Sequence, residues 1–210
     1  MKKISLIIIF LVTVSFRLHA QGVIDFDSGK YYAGIGTAPV STYYEKDFKF
    51  YVVVPTLGTT PPGYNQLGIA PAGGYYGNMP YNSTSYLYFY QQRSPDEYVA
   101  FVQMSGKFFG LSSVQLATSE FVGDLPVTFE GIKAGGVTVY QTFTVLGSDW
   151  QNWQTFNFDS QFSSGLLSVN VKTTDLYIDN LQFIPEPSTT ALIGFGLLAG
   201  WRMLRKRRCL

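Results

Sequence analysis

Pro126-Val127-Thr128-Phe129-Glu130-Gly131-Ile132 runs through Lys133-Ala134 to Gly135-Gly136, and a second apolar-polar run follows to Val145. This stretch decides the fold. Val127 and Phe129 face one way, Thr128 and Glu130 the other, which is the period of a strand with one buried and one wet face. Gly135-Gly136 stands between the two runs, where a hairpin needs backbone freedom. Further along, Leu167, Val169 and Val171 alternate with Ser168, Asn170 and Lys172, and Phe156 and Phe158 with Asn157 and Asp159. Working outward, strands are expected at 22–27, 47–54, 85–92, 97–104, 114–117, 126–132, 136–145, 153–158, 166–172 and 175–183, with Ser94-Pro95-Asp96 turning one pair. No helical period is evident between residues 22 and 183. The pattern predicts an all-β body, an antiparallel two-sheet β-sandwich. In the last run Leu176 and Ile178 share one parity and Leu181 and Phe183 the other. A β-bulge at Asp179-Asn180 would return both pairs to the core.

Residues 56–81 break the pattern. Pro61, Pro62, Pro71 and Pro80 alternate with six glycines, and Tyr64, Tyr75, Tyr76 and Tyr81 are scattered among them. That composition predicts a long surface loop with one short strand near residues 67–70.

The two ends belong to a different physical world. Lys2-Lys3, an apolar run over residues 4–16 and Leu18-His19-Ala20 predict a secretory signal peptide, residues 1–20; the alternative is an uncleaved membrane helix, for which the apolar run is short. At the other end Pro185-Glu186-Pro187-Ser188 precedes a short apolar stretch, 191–201, and then Arg202 and Arg205-Lys206-Arg207-Arg208. A polar turn, a short transmembrane helix and a basic stop predict insertion in the inner membrane with the basic end cytoplasmic. The helix is shorter than the roughly 20 residues of a stable span, which suits a temporary anchor. The domains expected are thus the signal peptide at 1–20, the extracellular sandwich at 21–184 and the sorting signal at 185–210.

This tail resembles the PEP-CTERM sorting signal, also labelled the ice-binding-protein C-terminal segment, over roughly the last 27 residues. The resemblance implies an exosortase-type sorting protease acting at Pro185, Glu186 and Pro187. It also implies export, transient inner-membrane anchoring by the C-terminus, and then a cell-surface or extracellular location in a bacterium that makes exopolysaccharide. The ice-binding label describes the tail alone; Thr59-Thr60 and Thr173-Thr174 are pairs, not the arrays an ice face needs. The order of motifs at 127–132, 141–144, 153–156 and 178–181 further resembles the closing half of jelly-roll domains of the galactose-binding-like and carbohydrate-binding kinds. The half that precedes it departs from that pattern.

Removing both ends changes the chemistry on offer. Of the 15 Lys and Arg, eight lie in the signal and tail, while all 14 Asp and Glu lie in the body, counting Glu186. The exported part is therefore acidic, which argues against a nucleic-acid partner. The only His is His19 and the only Cys is Cys209. The body thus has no Ser-His-Asp triad, no Cys nucleophile, no His-based zinc site and no disulfide. Tyr75, Tyr76, Tyr81, Trp150 and Trp153 are the candidate ligand-binding residues, since exposed rings stack on the C–H faces of sugars; the alternative is that they cover the rim of the sandwich. No cofactor is required. The jelly-roll resemblance implies a structural Ca²⁺ near Asp25, Asp27 and Asp179 if the first and last strands adjoin; the alternative is ordinary solvated or turn-capping acids. The expected function is a non-catalytic surface or matrix protein with exopolysaccharide as a partner. The alternative is a glycan-processing enzyme with paired carboxylates drawn from Glu97, Glu120 and Glu130.

Overall fold

The computed structural model describes residues 22–28, 30–32, 42–53, 66–70, 85–90, 98–118, 122–173 and 176–186. The expected signal helix, the tail helix and most of the Tyr-rich loop lie outside the described residues. Thirteen strands follow in chain order: β1 (Gly22–Ile24), β2 (Lys30–Tyr32), β3 (Thr42–Glu45), β4 (Phe48–Val53), β5 (Gln66–Ala70), β6 (Tyr86–Tyr90), β7 (Tyr98–Gln103), β8 (Phe109–Ala117), β9 (Leu125–Lys133), β10 (Thr138–Val145), β11 (Gln154–Asn157), β12 (Leu166–Lys172) and β13 (Leu176–Pro185). No α-helix occurs among the described residues.

Every ladder is antiparallel. One sheet runs β2-β3-β4-β7-β12-β9-β10 and the other β5-β6-β13-β8-β11, with β1 also on β13. A single ladder position, Leu166 opposite Phe109, joins them. The sheets face each other through aromatic rings. Phe48 on β4 meets Phe109 on β8 at 5.0 Å and Phe183 on β13 at 4.8 Å, both edge-on. Phe143 on β10 meets Phe156 on β11 at 4.9 Å. Edge-on rings satisfy the quadrupoles while removing apolar area from water, about 0.5–1.5 kcal/mol per pair beyond the burial itself.

The alternation seen in sequence is the alternation of burial. Phe48, Phe50 and Val52 point inward from β4, and Val127 and Phe129 from β9. The hairpin at Gly135-Gly136 joins β9 to β10, with both glycines at positive φ, +80° and +79°. The bulge expected in β13 is present: Asn180 has φ +45° and the register with β8 shifts between Asp179 and Gln182. Leu176, Ile178, Leu181 and Phe183 consequently all join one core. Leu167 differs from expectation. A register shift at the start of β12 turns Leu166 inward and leaves Leu167 exposed.

Strands β2 and β3 add to the expected set. β3 is a Tyr-rich run joined to β4 by the two-residue turn Lys46-Asp47, whose φ values of +46° and +70° are those of a hairpin turn usually built from Asn-Gly. At its end, Glu45 points inward and is 5% exposed. Its Oε2 accepts from the Tyr43 hydroxyl at 2.6 Å and from the Phe26 amide at 3.0 Å.

Candidate functional site

The alternation that fills the core also sets what the first sheet shows to solvent. Register places Thr42 opposite Tyr51, Tyr51 opposite Ala100, Ala100 opposite Asn170, Asn170 opposite Glu130, and Glu130 opposite Tyr140. These residues form one row across six strands on the face away from the core. Neighbouring strands lie about 4.8 Å apart, so Tyr51 and Tyr140 stand about 19 Å apart along the row. In the row beside it, Thr128 lies opposite both Lys172 and Thr142.

The centre of this face is a connected polar group. Lys172 Nζ lies 2.5 Å from Glu130 Oε2, and the Tyr140 hydroxyl donates to Glu130 Oε1 at 3.4 Å. Burial works against the ionised Glu130. The hydrogen bond and charge of Lys172, with help from Asn170 and Tyr140, outweigh it and hold the carboxyl below its ordinary range. The hydrogen bond to Glu130 in turn raises Lys172. The two charges offset each other at the centre of the face, with donors on Lys172, Asn170 and Tyr140 and acceptors on Glu130 and Asn170. Rings flank it: Tyr140 is 58% exposed on one side, and half-buried Tyr51 and Tyr98 lie on the other. Lys49 Nζ sits 5.0 Å from the centre of the Tyr51 ring, a cation–π contact that steadies the ring.

The residues singled out from sequence fare differently. Tyr75, Tyr76 and Tyr81 lie outside the described residues. Trp150 and Trp153 are half-buried. Trp153 packs edge-on against Tyr86 at 5.5 Å and belongs to a small cluster with Ala117, Tyr177 and Tyr88 on the outer side of the second sheet. Its indole N–H is buried without an acceptor among the described residues. Burial pushes the Tyr86 hydroxyl up to about 12. β1 does pair with β13, but the three carboxylates at that junction each have partners of their own. Asp25 lies 3.3 Å from Lys46 Nζ, which also contacts Glu45 at 3.2 Å. Asp27 accepts from the Ser85 amide at 2.6 Å. Asp179 is fully buried and accepts from the Asn180 amide at 2.7 Å. No set of three or more His, Cys, Asp or Glu that could hold a metal is found among the described residues.

Of the row Tyr51–Asn170–Glu130–Tyr140 only Glu130 is among the residues read from sequence, there as a candidate catalytic carboxylate, although the signal for the two rings is present. Tyr51 stands between inward Phe50 and Val52, and Tyr140 follows inward Val139. Each is a large ring at a polar-face position.

The tail motif meets the sandwich. β13 continues to Pro185, one residue beyond the expected boundary of the body. Glu186 follows it and accepts a hydrogen bond from the Gly165 amide. Residues 183–208 match the PEP-CTERM protein-sorting motif. The chain carries a PEP-CTERM sorting signal. A signal of this kind implies export and membrane-associated sorting to the cell surface. No helix among the described residues is long and apolar enough to cross a membrane.

No curated protein matches the chain. Solved structures similar to this chain include carbohydrate-binding modules. One is the CBM22-1 xylan-binding domain of Paenibacillus barcinonensis Xyn10C, at 14% identity and a TM-score of 0.38, covering 59% of this chain and 82% of that one. Another is a point mutant of CBM29-2, a family 29 carbohydrate-binding module, at 16% identity and TM-score 0.37, covering 63% of this chain and 89% of that one. A third is the Clostridium thermocellum Xyn10B structure of CBM22-1 and GH10 modules with xylohexaose, at 11% identity and TM-score 0.39. The match covers 60% of this chain and only 25% of that structure's length. At TM-scores this low the likeness identifies no ligand for this chain.

Proposed function

We propose that this chain is an exported, non-catalytic surface or extracellular-matrix protein, processed at its tail by an exosortase-type protease, whose sandwich binds polysaccharide along the outer face of the first sheet. The row Tyr51–Asn170–Glu130–Tyr140 carries the reading. Rings at both ends of a hydrogen-bonding strip, one of them with Lys49 beside it, match a sugar chain, which alternates apolar C–H faces with hydroxyl edges. The tail match supports the export half. Glu130 is an ionised acceptor tied to Lys172, which suits it to accepting hydrogen bonds from sugar hydroxyls and not to giving up a proton as a glycosidase acid must.

The purified full chain in detergent micelles, run through gels containing neutral or acidic polysaccharides, tests it. Retention on at least one polysaccharide is expected, with Tyr140→Ala and Tyr51→Ala each weakening binding about two- to tenfold, the worth of one stacked ring. Unchanged retention in the double variant moves the site elsewhere. Steady hydrolysis of any polysaccharide would end the non-catalytic reading. For the tail, replacing Pro185-Glu186-Pro187 by alanines is expected to leave full-length chain in the inner-membrane fraction.

A further inference from the structure

Two of the three residues of the sorting motif are built into the folded body. At the end of β13, Ile184 lies opposite Gly110 and Pro185 opposite Phe109 of β8. Phe109 is fully buried, and it is the residue through which the two sheets join. Beside this ladder runs the turn from Ser163 to Gly165, which leads into β12. It is pressed so close to β8 that a Cβ on Gly110 would collide with the Ser163 carbonyl group. Gly165 takes φ +76°, a left-handed backbone that favours glycine. Its amide donates to Glu186 Oε1, and Glu186 is half-buried. A carboxylate accepting from a backbone amide is a charge-assisted bond, stronger than a neutral one.

A protease holds its substrate as an extended segment through main-chain hydrogen bonds and side-chain pockets. A segment already paired with β8 and fastened through Glu186 cannot be held that way at the same time. We propose that the bond from Gly165 to Glu186 is a clasp that closes the sorting motif against the folded body, so that the end of β13 must lift from β8 before the motif can be processed. The rate of release from the membrane is then set by local opening at this corner of the sandwich, not by recognition of the motif alone. The inference rests on the reading that the tail is processed at all.

Moving the motif without changing it provides the test. Insertion of Gly-Ser-Gly-Ser between Ile184 and Pro185 in the full chain frees Pro185-Glu186-Pro187 from the body. In cells that contain an exosortase-type protease, a pulse–chase is expected to show the insertion variant processed about tenfold faster than wild type, the scale of one charge-assisted hydrogen bond. A second measurement needs no protease. In the purified full chain the Gly165 amide is expected to exchange with solvent about tenfold faster in Glu186→Ala than in wild type. Wild type processed as fast as the insertion variant would overturn the gate while leaving tail processing intact. Cleavage of neither chain would overturn the processing reading and the gate with it. Equal Gly165 exchange in wild type and Glu186→Ala would overturn the clasp itself.

Discussion

Glu45 shows how one buried polar residue can organise a sheet edge. Its side chain is 2% exposed and its Oε2 serves two donors from different segments, Tyr43 on its own strand and Phe26 past the end of β1. Phe26 holds φ +58°, an unusual backbone for a bulky residue, and the Glu45 bond fixes its amide there. Glu45→Ala would take the shared acceptor away from the Phe26 amide and the Tyr43 hydroxyl and is expected to lose about 3 kcal/mol in urea unfolding. Glu45→Gln keeps a carbonyl oxygen for both donors and is expected to lose less than half of that. The pH dependence separates the two roles. Burial raises the Glu45 carboxyl above its ordinary 4.5, against the pull of Tyr43, while a hydrogen bond with Asp25 adds to the rise. A raised carboxyl favours folding most while it is protonated, so its contribution is complete below 4.5 and is lost as pH climbs through the folded value. Wild-type stability measured upward from pH 4.5 should carry this decline, and Glu45→Gln should lack it.

At the scale of the element, the bulge in β13 keeps a ten-residue strand in one core. Asn180 at φ +45° shifts the parity, and its side-chain amide donates to Gln115 Oε1 at 2.9 Å on β8. Asn180→Val puts a β-branched residue into a left-handed backbone and removes that bond. It is expected to lower stability by about 2–3 kcal/mol in chemical denaturation, while Asn180→Gly, which loses only the side-chain bond, should lose about 1 kcal/mol. A Val variant as stable as wild type would show that the strand can shift register without the bulge. This bulge is legible in sequence because Leu176, Ile178, Leu181 and Phe183 are strongly apolar and parity is a strict rule. So are β9, β10 and β12. β3 is hidden because the inward half of its pattern is Tyr43 and Glu45, and Glu45 reads as polar until its buried donors are known. Leu167 misleads for the converse reason: Leu166 and Leu167 are equally apolar, and only pairing with Phe109 decides which one turns inward. The candidate row is invisible as a site in sequence because register between strands far apart along the chain, β4, β7, β12, β9 and β10, brings its members together. Only the outward placement of Tyr51 and Tyr140 can be read locally.

At the scale of the whole molecule, the body must hold two sheets together without covalent help, since the only cysteine is Cys209. Its stability therefore rests on the rings between the sheets. Phe48 is the keystone of that layer: fully buried, it touches Phe101 on its own sheet at 6.5 Å and Phe109 and Phe183 on the other at 5.0 and 4.8 Å. Truncation to Ala removes the transfer energy of a ring and leaves a cavity between two sheets that ladder bonds elsewhere keep from closing, about 3–5 kcal/mol in all. Set against the roughly 5–15 kcal/mol that holds a typical domain folded, this is a large share. Phe48→Leu refills much of the volume and is expected to recover at least half of the loss. Because the corner that carries Pro185 and Glu186 packs on Phe109, loosening the layer at Phe48 should also raise exchange at the Gly165 amide, more than an equally destabilising change at Val145 on the far side of the first sheet. Thermal unfolding of wild type and the two Phe48 variants, with and without a thiol reductant, checks the argument. The reductant should change nothing, and the order Phe48→Ala, Phe48→Leu, wild type should appear in both melting temperature and Gly165 protection.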